Sequence, residues 1–219
     1  SKNENLLHDF YFGDWSESLL EDISEVIISP GIAESESIVR WIRAKNISII
    51  SDIELFGRYV KAPMIGITGS NGKSTVTQLL GEMALASSLK AYICGNIGNP
   101  VMECISDDAE LYIVELSSYQ LDYTNKLDLF AGVITNISPD HLDRYSSYSN
   151  YISSKLSIYD YSMFNIINLN EPEVNGISGD NFFSIEKNES KCDFFASKKD
   201  NLYEVFHQGK VLMTSDDLL

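Results

Sequence analysis

Apolar residues in this chain come in short runs, separated by stretches where they recur every third or fourth position, the alternation expected of strands followed by helices. Val26 to Ser29, closed by Pro30-Gly31, and Ile47 to Ile50 are strand candidates, and between them Ser37 to Lys45 carries Ile38, Trp41 and Ile42 at helical spacing. Together they predict a βαβ-like remnant of a doubly wound unit with few strands. From Ala62 onward the alternation becomes regular. Met64 to Thr68 reads as a strand. Val76, Leu79, Leu80, Met83 and Ala84 follow the spacing of a helix with one buried face. Further strands are expected at Ala91 to Cys94, Leu111 to Leu116 and Leu129 to Asn136, then a helix near Tyr148 to Tyr161 and a strand at Phe164 to Leu169. The tail turns to short strands separated by Asn, Gly and Lys, such as Leu202 to Phe206 and Lys210 to Met213, and reads as an antiparallel appendage.

The pattern is that of an α/β chain: a Rossmann-like N-terminal remnant over residues 1–61, then a P-loop-type central domain over residues 62–219 with a mostly parallel sheet. With 219 residues, 44% of them apolar, there is enough chain for a sizeable core. No stretch approaches the ~20 apolar residues that span a bilayer, and no basic segment followed by an apolar run opens the sequence, so a soluble, cytoplasmic protein without membrane insertion is expected. Cys94, Cys104 and Cys192 are odd in number and widely spaced, which predicts reduced packing cysteines rather than a disulfide framework. A net charge of -16 argues against nucleic acid as a partner. A small anionic ligand would have to be held by local donors, helix N-termini and bound Mg²⁺.

The segment Gly69-Ser70-Asn71-Gly72-Lys73-Ser74-Thr75 lies between a strand and an amphipathic helix. Its glycines let backbone N–H groups wrap phosphates, Lys73 can reach the β- and γ-phosphates, and the Ser74 hydroxyl can ligate Mg²⁺, a design suited to ATP. The usual glycine spacing would put a glycine at Ile67, so this is a variant loop. Glu115 ends an apolar strand at the carboxyl edge of the sheet, where a Mg²⁺ ligand fits and where a solvated strand-end glutamate is the alternative. His141 follows the next strand by a few residues and falls on the same edge. Lys155 sits beside the apolar stripe of its helix, as a surface lysine also would. Gly95-Asn96-Ile97-Gly98 follows a third strand; its glycines could approach a ligand closely and Asn96 offers both a donor and an acceptor, with a plain turn as the competing explanation. Asn125-Lys126-Leu127-Asp128 matches the guanine-reading motif of GTPases. It is rejected because Asp122-Tyr123-Thr124 precedes it instead of an apolar strand, and no Asp-x-x-Gly segment separates it from the phosphate loop.

Five strings taken in order are more specific than any one of them: the segment from Ile67 to Thr75, Gly95 to Gly98, Glu115-Leu116-Ser117-Ser118-Tyr119-Gln120-Leu121, Asn136-Ile137-Ser138-Pro139-Asp140-His141-Leu142-Asp143-Arg144-Tyr145, and Lys155-Leu156-Ser157-Ile158-Tyr159. In this order they resemble the Mur ligases, the ATP-dependent amide-forming enzymes that build the peptide of bacterial peptidoglycan. The third string is most similar to the branch that adds D-glutamate. Ser29-Pro30-Gly31-Ile32 and Ser51-Asp52-Ile53-Glu54-Leu55 also resemble the uridine-nucleotide domain of that branch. The resemblance covers the chain to about Tyr161.

The resemblance implies that ATP phosphorylates the carboxylate of UDP-N-acetylmuramoyl-L-alanine, that the amine of D-glutamate attacks the acyl phosphate, and that phosphate leaves. It implies that Lys73 neutralises charge on the transferred phosphoryl group, that Ser74 and Glu115 hold a first Mg²⁺, and that His141 helps hold a second. It also implies that Lys155 is carbamylated by CO₂ to support that second ion, which requires a partly buried amine with a lowered pKa. Ser29, Gly31, Asn96, Ser117, Gln120 and His141 match positions that contact the muramoyl substrate. A strand before Ser1 and an amino-acid-binding domain after Leu219 are further implied, so the chain is expected to be a fragment, monomeric and with little ligase activity alone. A neighbouring Mur ligase, a folylpolyglutamate synthase, and a non-catalytic nucleotide-binding module are the alternatives. Substrate dependence separates the first two from the D-glutamate enzyme, and the effect of Glu115→Ala on turnover separates the third.

Overall fold

In the computed structural model, which describes residues 11–141, 143–185, 192–199 and 202–215, the first apolar run forms β1 (Glu25–Ile28) and the second forms β2 (Ser48–Ser51). The two pair in parallel with Val26 opposite Ile49, as a crossover through α1 (Ser37–Ala44) allows. Ile38, Val39 and Ile42 of α1 fill the small core beneath this sheet, joined by Leu20 and by Tyr123 from much later in the chain. A helix, α2 (Asp52–Tyr59), starts directly after β2 because the Ser51 hydroxyl accepts from the Glu54 N–H at 3.2 Å, and Asp52 and Glu54 set negative charge against the positive helix end.

The larger sheet has nine strands among the described residues: β3 (Met64–Thr68), β4 (Ala91–Gly95), β5 (Leu111–Glu115), β6 (Leu129–Ile134), β7 (Ser162–Asn168), β8 (Asn181–Ile185), β9 (Phe194–Lys199), β10 (Leu202–His207) and β11 (Lys210–Thr214). Their order is β11-β10-β9-β8-β7-β6-β3-β5-β4. Every pairing from β4 to β9 is parallel. The central strand β3 therefore ends between the carboxyl ends of β5 and β6, where a doubly wound sheet gathers ligands. The crossovers run through α3 (Lys73–Ala86), α4 (Ser118–Asp122) and α5 (Tyr148–Leu156). Side-chain alternation explains the continuous apolar strands. Met64, Tyr112, Val114 and Leu116 face a core shared with Ile53 and Phe56 of α2 and Tyr151 of α5, while Ile67 and Ile113 face Ala84 of α3.

Three expectations change. Helix α3 forms as predicted, but it buries Thr77, Gly81 and Ala84 and leaves Val76, Leu79 and Met83 38%, 59% and 57% exposed. Gly81 is the reason: a methyl group built there would lie 2.1 Å from the Ile93 side chain, so the small-residue row is the one that reaches β4, and the larger row borders an apolar trough with Ile65, Val133 and Phe183. The tail also differs. Antiparallel pairing is confined to β9-β10-β11, whereas β8 and β9 extend the parallel run. A single 3₁₀ turn, Pro172–Val174, lies in the link from β7 to β8, so no helical period in the sequence marks that crossover. The helix expected to run to Tyr161 becomes 3₁₀ from Ser157.

Asn125-Lys126-Leu127-Asp128 precedes β6, at the end of the sheet opposite the loop of residues 69–75. Buried Glu54 holds it, accepting from the Asn125 N–H at 2.6 Å and the Lys126 N–H at 3.3 Å while its other oxygen meets Arg58 at 2.9 Å. The string is a structural joint. Among the described residues no helix is long and apolar enough to cross a membrane.

Candidate active site

The loop after β3 owes its shape to two glycines. Gly69 has φ +149°, and an added Cβ would sit 2.0 Å from the Thr135 hydroxyl oxygen; Gly72, at the N-cap of α3, is left-handed with φ +76°. The loop is tied to residues that follow β6. Thr135 Oγ1 and Asn136 Nδ2 both donate to the Asn71 carbonyl at 2.8 Å, and the Asn71 N–H donates to Asn136 Oδ1 at 2.9 Å. Ser70 Oγ lies 2.7 Å from the Tyr151 hydroxyl and accepts from the Ser138 N–H at 2.9 Å. No side chain caps α3, so the N–H groups of its first turn and its partial positive charge remain available to an anion.

Two lysines converge here. Lys73 Nζ donates to the carbonyls of Gly69 at 2.9 Å and Ser70 at 3.0 Å, and Lys155 Nζ donates to the same Gly69 carbonyl at 2.8 Å. Lys155 is only 2% exposed. Burial, reinforced by the neighbouring Lys73 charge and opposed by Asp140 and Asp122, pushes its pKa down to about 7. Here an amine is neutral near physiological pH and can act as a nucleophile toward a small electrophile.

Glu115, at the end of β5, is 1% exposed. Asn96 Nδ2 donates to its Oε1 at 2.9 Å, but its buried Oε2 has no hydrogen-bond partner. Gly95 allows this contact, because with φ +111° a Cβ would fall 2.2 Å from the Glu115 carbonyl oxygen. A buried carboxylate oxygen left unpaired is costly, and a hard cation would satisfy it. Among the described residues no three His, Cys, Asp or Glu side chains form a metal-binding group, so a cation at Glu115 and the exposed Ser74 of α3 would need phosphate and water oxygens to complete its shell. Mg²⁺ binds that way.

A cleft of about 230 Å³ is lined by Lys73, Asn96, Ser117, Tyr119, Asp140, His141 and Lys155, among others. A larger hollow of about 600 Å³ lies at the amino ends of the strands, around Lys61 and Asp128, away from these groups. His141 is exposed, left-handed at φ 52°, with its ring 5.1 Å from that of Tyr119 and Nε2 3.4 Å from Asp140. Leu142, beside it, lies outside the described residues. Gln120 does not line the cleft. It is buried in a capping box with Ser117, whose N–H donates to Gln120 Oε1 at 3.0 Å, and it props the start of α4. Ser29 and Gly31 are exposed at the end of β1, apart from the lysines. Thr75 is exposed on the first turn of α3. The sequence reading assigned no role to Tyr151, Thr135, Asn136, Ser138 or Arg144. Tyr151 had a signal, since it stands one helical turn before Lys155.

The Mur ligase middle domain family model matches residues 67–216. The chain is 40% identical over 94% of its length to the UDP-N-acetylmuramoylalanine–D-glutamate ligase of Coxiella burnetii, of which it spans 47%. It is 43% identical over 74% of its length to the enzyme of the same description from Vibrio cholerae, spanning 37% of that protein. The chain thus spans less than half the length of these curated relatives. In fold it is similar to a UDP-N-acetylmuramoyl-L-alanyl-D-glutamate–2,6-diaminopimelate ligase, with a TM-score of 0.63 at 15% identity, covering 87% of this chain and 54% of that one. It is also similar to the UDP-N-acetylmuramate-alanine ligase of Thermotoga maritima, with a TM-score of 0.56 at 18% identity, covering 91% and 47%. With a family domain matched over residues 67–216 and relatives 40% identical along nearly its whole length, the chain belongs to the Mur ligase family.

Proposed function

We propose that this chain is the ATP-activating part of a ligase that joins D-glutamate to UDP-N-acetylmuramoyl-L-alanine. Residues 1–61 would belong to the domain that takes the uridine nucleotide, residues 62–219 to the ATP-binding domain, and D-glutamate would be held by a further domain of the longer protein. The observation that carries the reading is the convergence of Lys73 and a near-neutral, buried Lys155 on the Gly69 carbonyl, beside an unpaired Glu115 oxygen.

In this reading the triphosphate of ATP lies along the loop from Gly69 to Thr75, and Lys73 exchanges its two carbonyl acceptors for phosphate oxygens. The muramoyl carboxylate oxygen attacks the γ-phosphorus and ADP leaves. The D-glutamate nitrogen then attacks the acyl carbon, inorganic phosphate departs, and the surplus ammonium proton passes to solvent. Activation is needed because a free carboxylate is a poor electrophile and two anions must meet. Ser74 and Glu115 would hold one Mg²⁺, and His141 with a Lys155 carbamate a second. Bound Mg²⁺ supplies the charge neutralisation that lets carboxylate and phosphate approach. Addition of CO₂ to the neutral Lys155 amine, with loss of one proton, would create the required anion. Asn96, Ser117 and His141 face the cleft where the muramoyl end would sit, Ser29 and Gly31 the nucleotide end, and Gln120 acts through Ser117. The substrates are soluble small molecules, which fits a cytoplasmic monomer.

The test is phosphate release by the full-length protein. Release that requires UDP-N-acetylmuramoyl-L-alanine and D-glutamate together is the expected result. Release with meso-diaminopimelate or a folate in place of these substrates would overturn the assignment.

A further inference from the structure

Arg144 lies three residues after His141, and its guanidinium is spent on a distant piece of chain. One terminal nitrogen donates to the Pro30 carbonyl and, at 2.8 Å, to that of Ile32; the other donates to the Gly31 carbonyl at 3.2 Å. Three successive main-chain acceptors at the end of β1 are thus gathered by one side chain 112 to 114 residues later. The Tyr123 hydroxyl adds a bond to the Ile32 carbonyl at 3.0 Å. The guanidinium carbon also lies 3.9 Å from the centroid of the Tyr119 ring, and Tyr119 lines the cleft beside Lys73 and Lys155. The Arg144 backbone N–H donates to the His141 carbonyl at 3.0 Å, closing the turn that presents His141.

We propose that Arg144 is a positioning residue that clamps the loop of residues 29–32 to the ATP-side cleft and so fixes the span between the two ends of the muramoyl substrate. The identity of that substrate rests on the ligase reading above, whereas the clamp itself rests on the contacts. A planar fork with several donors suits three neighbouring carbonyls and a ring face together. An ammonium group on a flexible stem suits neither the fork nor the stacking. The clamp acts on where the substrate is held, without touching the phosphate loop, so its loss should weaken muramoyl-substrate binding and leave ATP binding alone.

The test uses the full-length protein and its Arg144→Ala and Arg144→Lys variants. Hydrogen exchange across residues 29–36 should accelerate about tenfold or more in Arg144→Ala, as expected when charge-assisted bonds are lost, with exchange in α5 unchanged. In turnover, KM for UDP-N-acetylmuramoyl-L-alanine should rise about tenfold while KM for ATP stays within about twofold, and Arg144→Lys should recover little of the loss. Unchanged exchange in the loop, a parallel rise in both KM values, or full recovery with lysine would each overturn the clamp. Should Arg144→Ala fail to fold, Arg144→Gln, which keeps most of the stem, takes its place under the same criteria. If the unmutated protein does not turn over the muramoyl substrate, the ligase reading fails, and the exchange experiment still decides for or against the clamp.

Discussion

Replacing Lys155 by methionine tests how far the fold has moved the proton affinity of this amine. The side chain has an ordinary pKa of 10.5 and is lowered to about 7 in the folded protein, chiefly by burial and then by Lys73. Because the folded value is the lower one, the folded chain releases the proton near pH 7 while the unfolded chain keeps it until about 10.5. Unfolding in that window therefore takes up one proton, and stability gained from this group rises with pH. Below pH 7 both states are protonated and the contribution is flat. One proton corresponds to about 1.4 kcal/mol per pH unit, so wild type should gain about 2 to 3 kcal/mol over Lys155→Met between roughly pH 7.5 and 9.5. Methionine does not titrate, and subtracting the two proteins cancels groups common to both. Its lost hydrogen bond to Gly69 shifts the difference by an amount independent of pH above the transition. Urea unfolding of both proteins in CO₂-free buffers, at half-unit steps from pH 6 to pH 9.5, measures the slope. A difference that stays level within ~0.5 kcal/mol across the upper two units would refute the reasoning, because it would mean that Lys155 titrates as it does in water.

Glu115→Gln in the full-length protein keeps the shape and the Asn96 contact but removes the charge on the unpaired oxygen; Mg²⁺-dependent turnover should fall ~10²-fold or more with nucleotide affinity nearly retained, and equal losses in both measurements would contradict a metal role. Glu54→Ala should cost about 2 to 4 kcal/mol in urea unfolding, since it strands the Asn125 and Lys126 N–H groups while Arg58 keeps its pair of bonds to Glu25, and nucleotide binding measured by calorimetry should stay within about twofold.

Much of this architecture was legible because burial on both faces writes itself into a parallel strand as an unbroken apolar run, as at residues 111–114 of β5. The loop after β3 was legible for a different reason: its glycines are required by backbone geometry, so the letters report shape directly. Helix α3 shows the limit. Spacing identified the helix and its buried Ala84 but missed Thr77 and Gly81, which carry little hydrophobicity and pack closely for that reason, while Val76, Leu79 and Met83 stay exposed. The link between β7 and β8 gave no periodic signal at all, having only a 3₁₀ turn. Within the site, the motif strings brought out Lys73, Glu115, His141 and Lys155. Of the partners that shape the site, Tyr151 stands one helical turn before Lys155, whereas Asn136 and Arg144 bond main-chain atoms 65 and 112 to 114 residues away, and no local pattern encodes such a partner.

The distances along the chain between loop and partners also bear on how the site comes into being. The Gly69 carbonyl is met by a side chain 86 residues later, Ser70 by one 81 residues later, and Asn71 by one 65 residues later. Contacts of such separation close only after the intervening strands have paired, so the candidate site is a late product of folding. A nascent chain that has emerged only through α3 already carries every letter of the Gly69-to-Thr75 string. It lacks the strand and helix that bend that string into shape, so the cradle of main-chain N–H groups is not yet assembled.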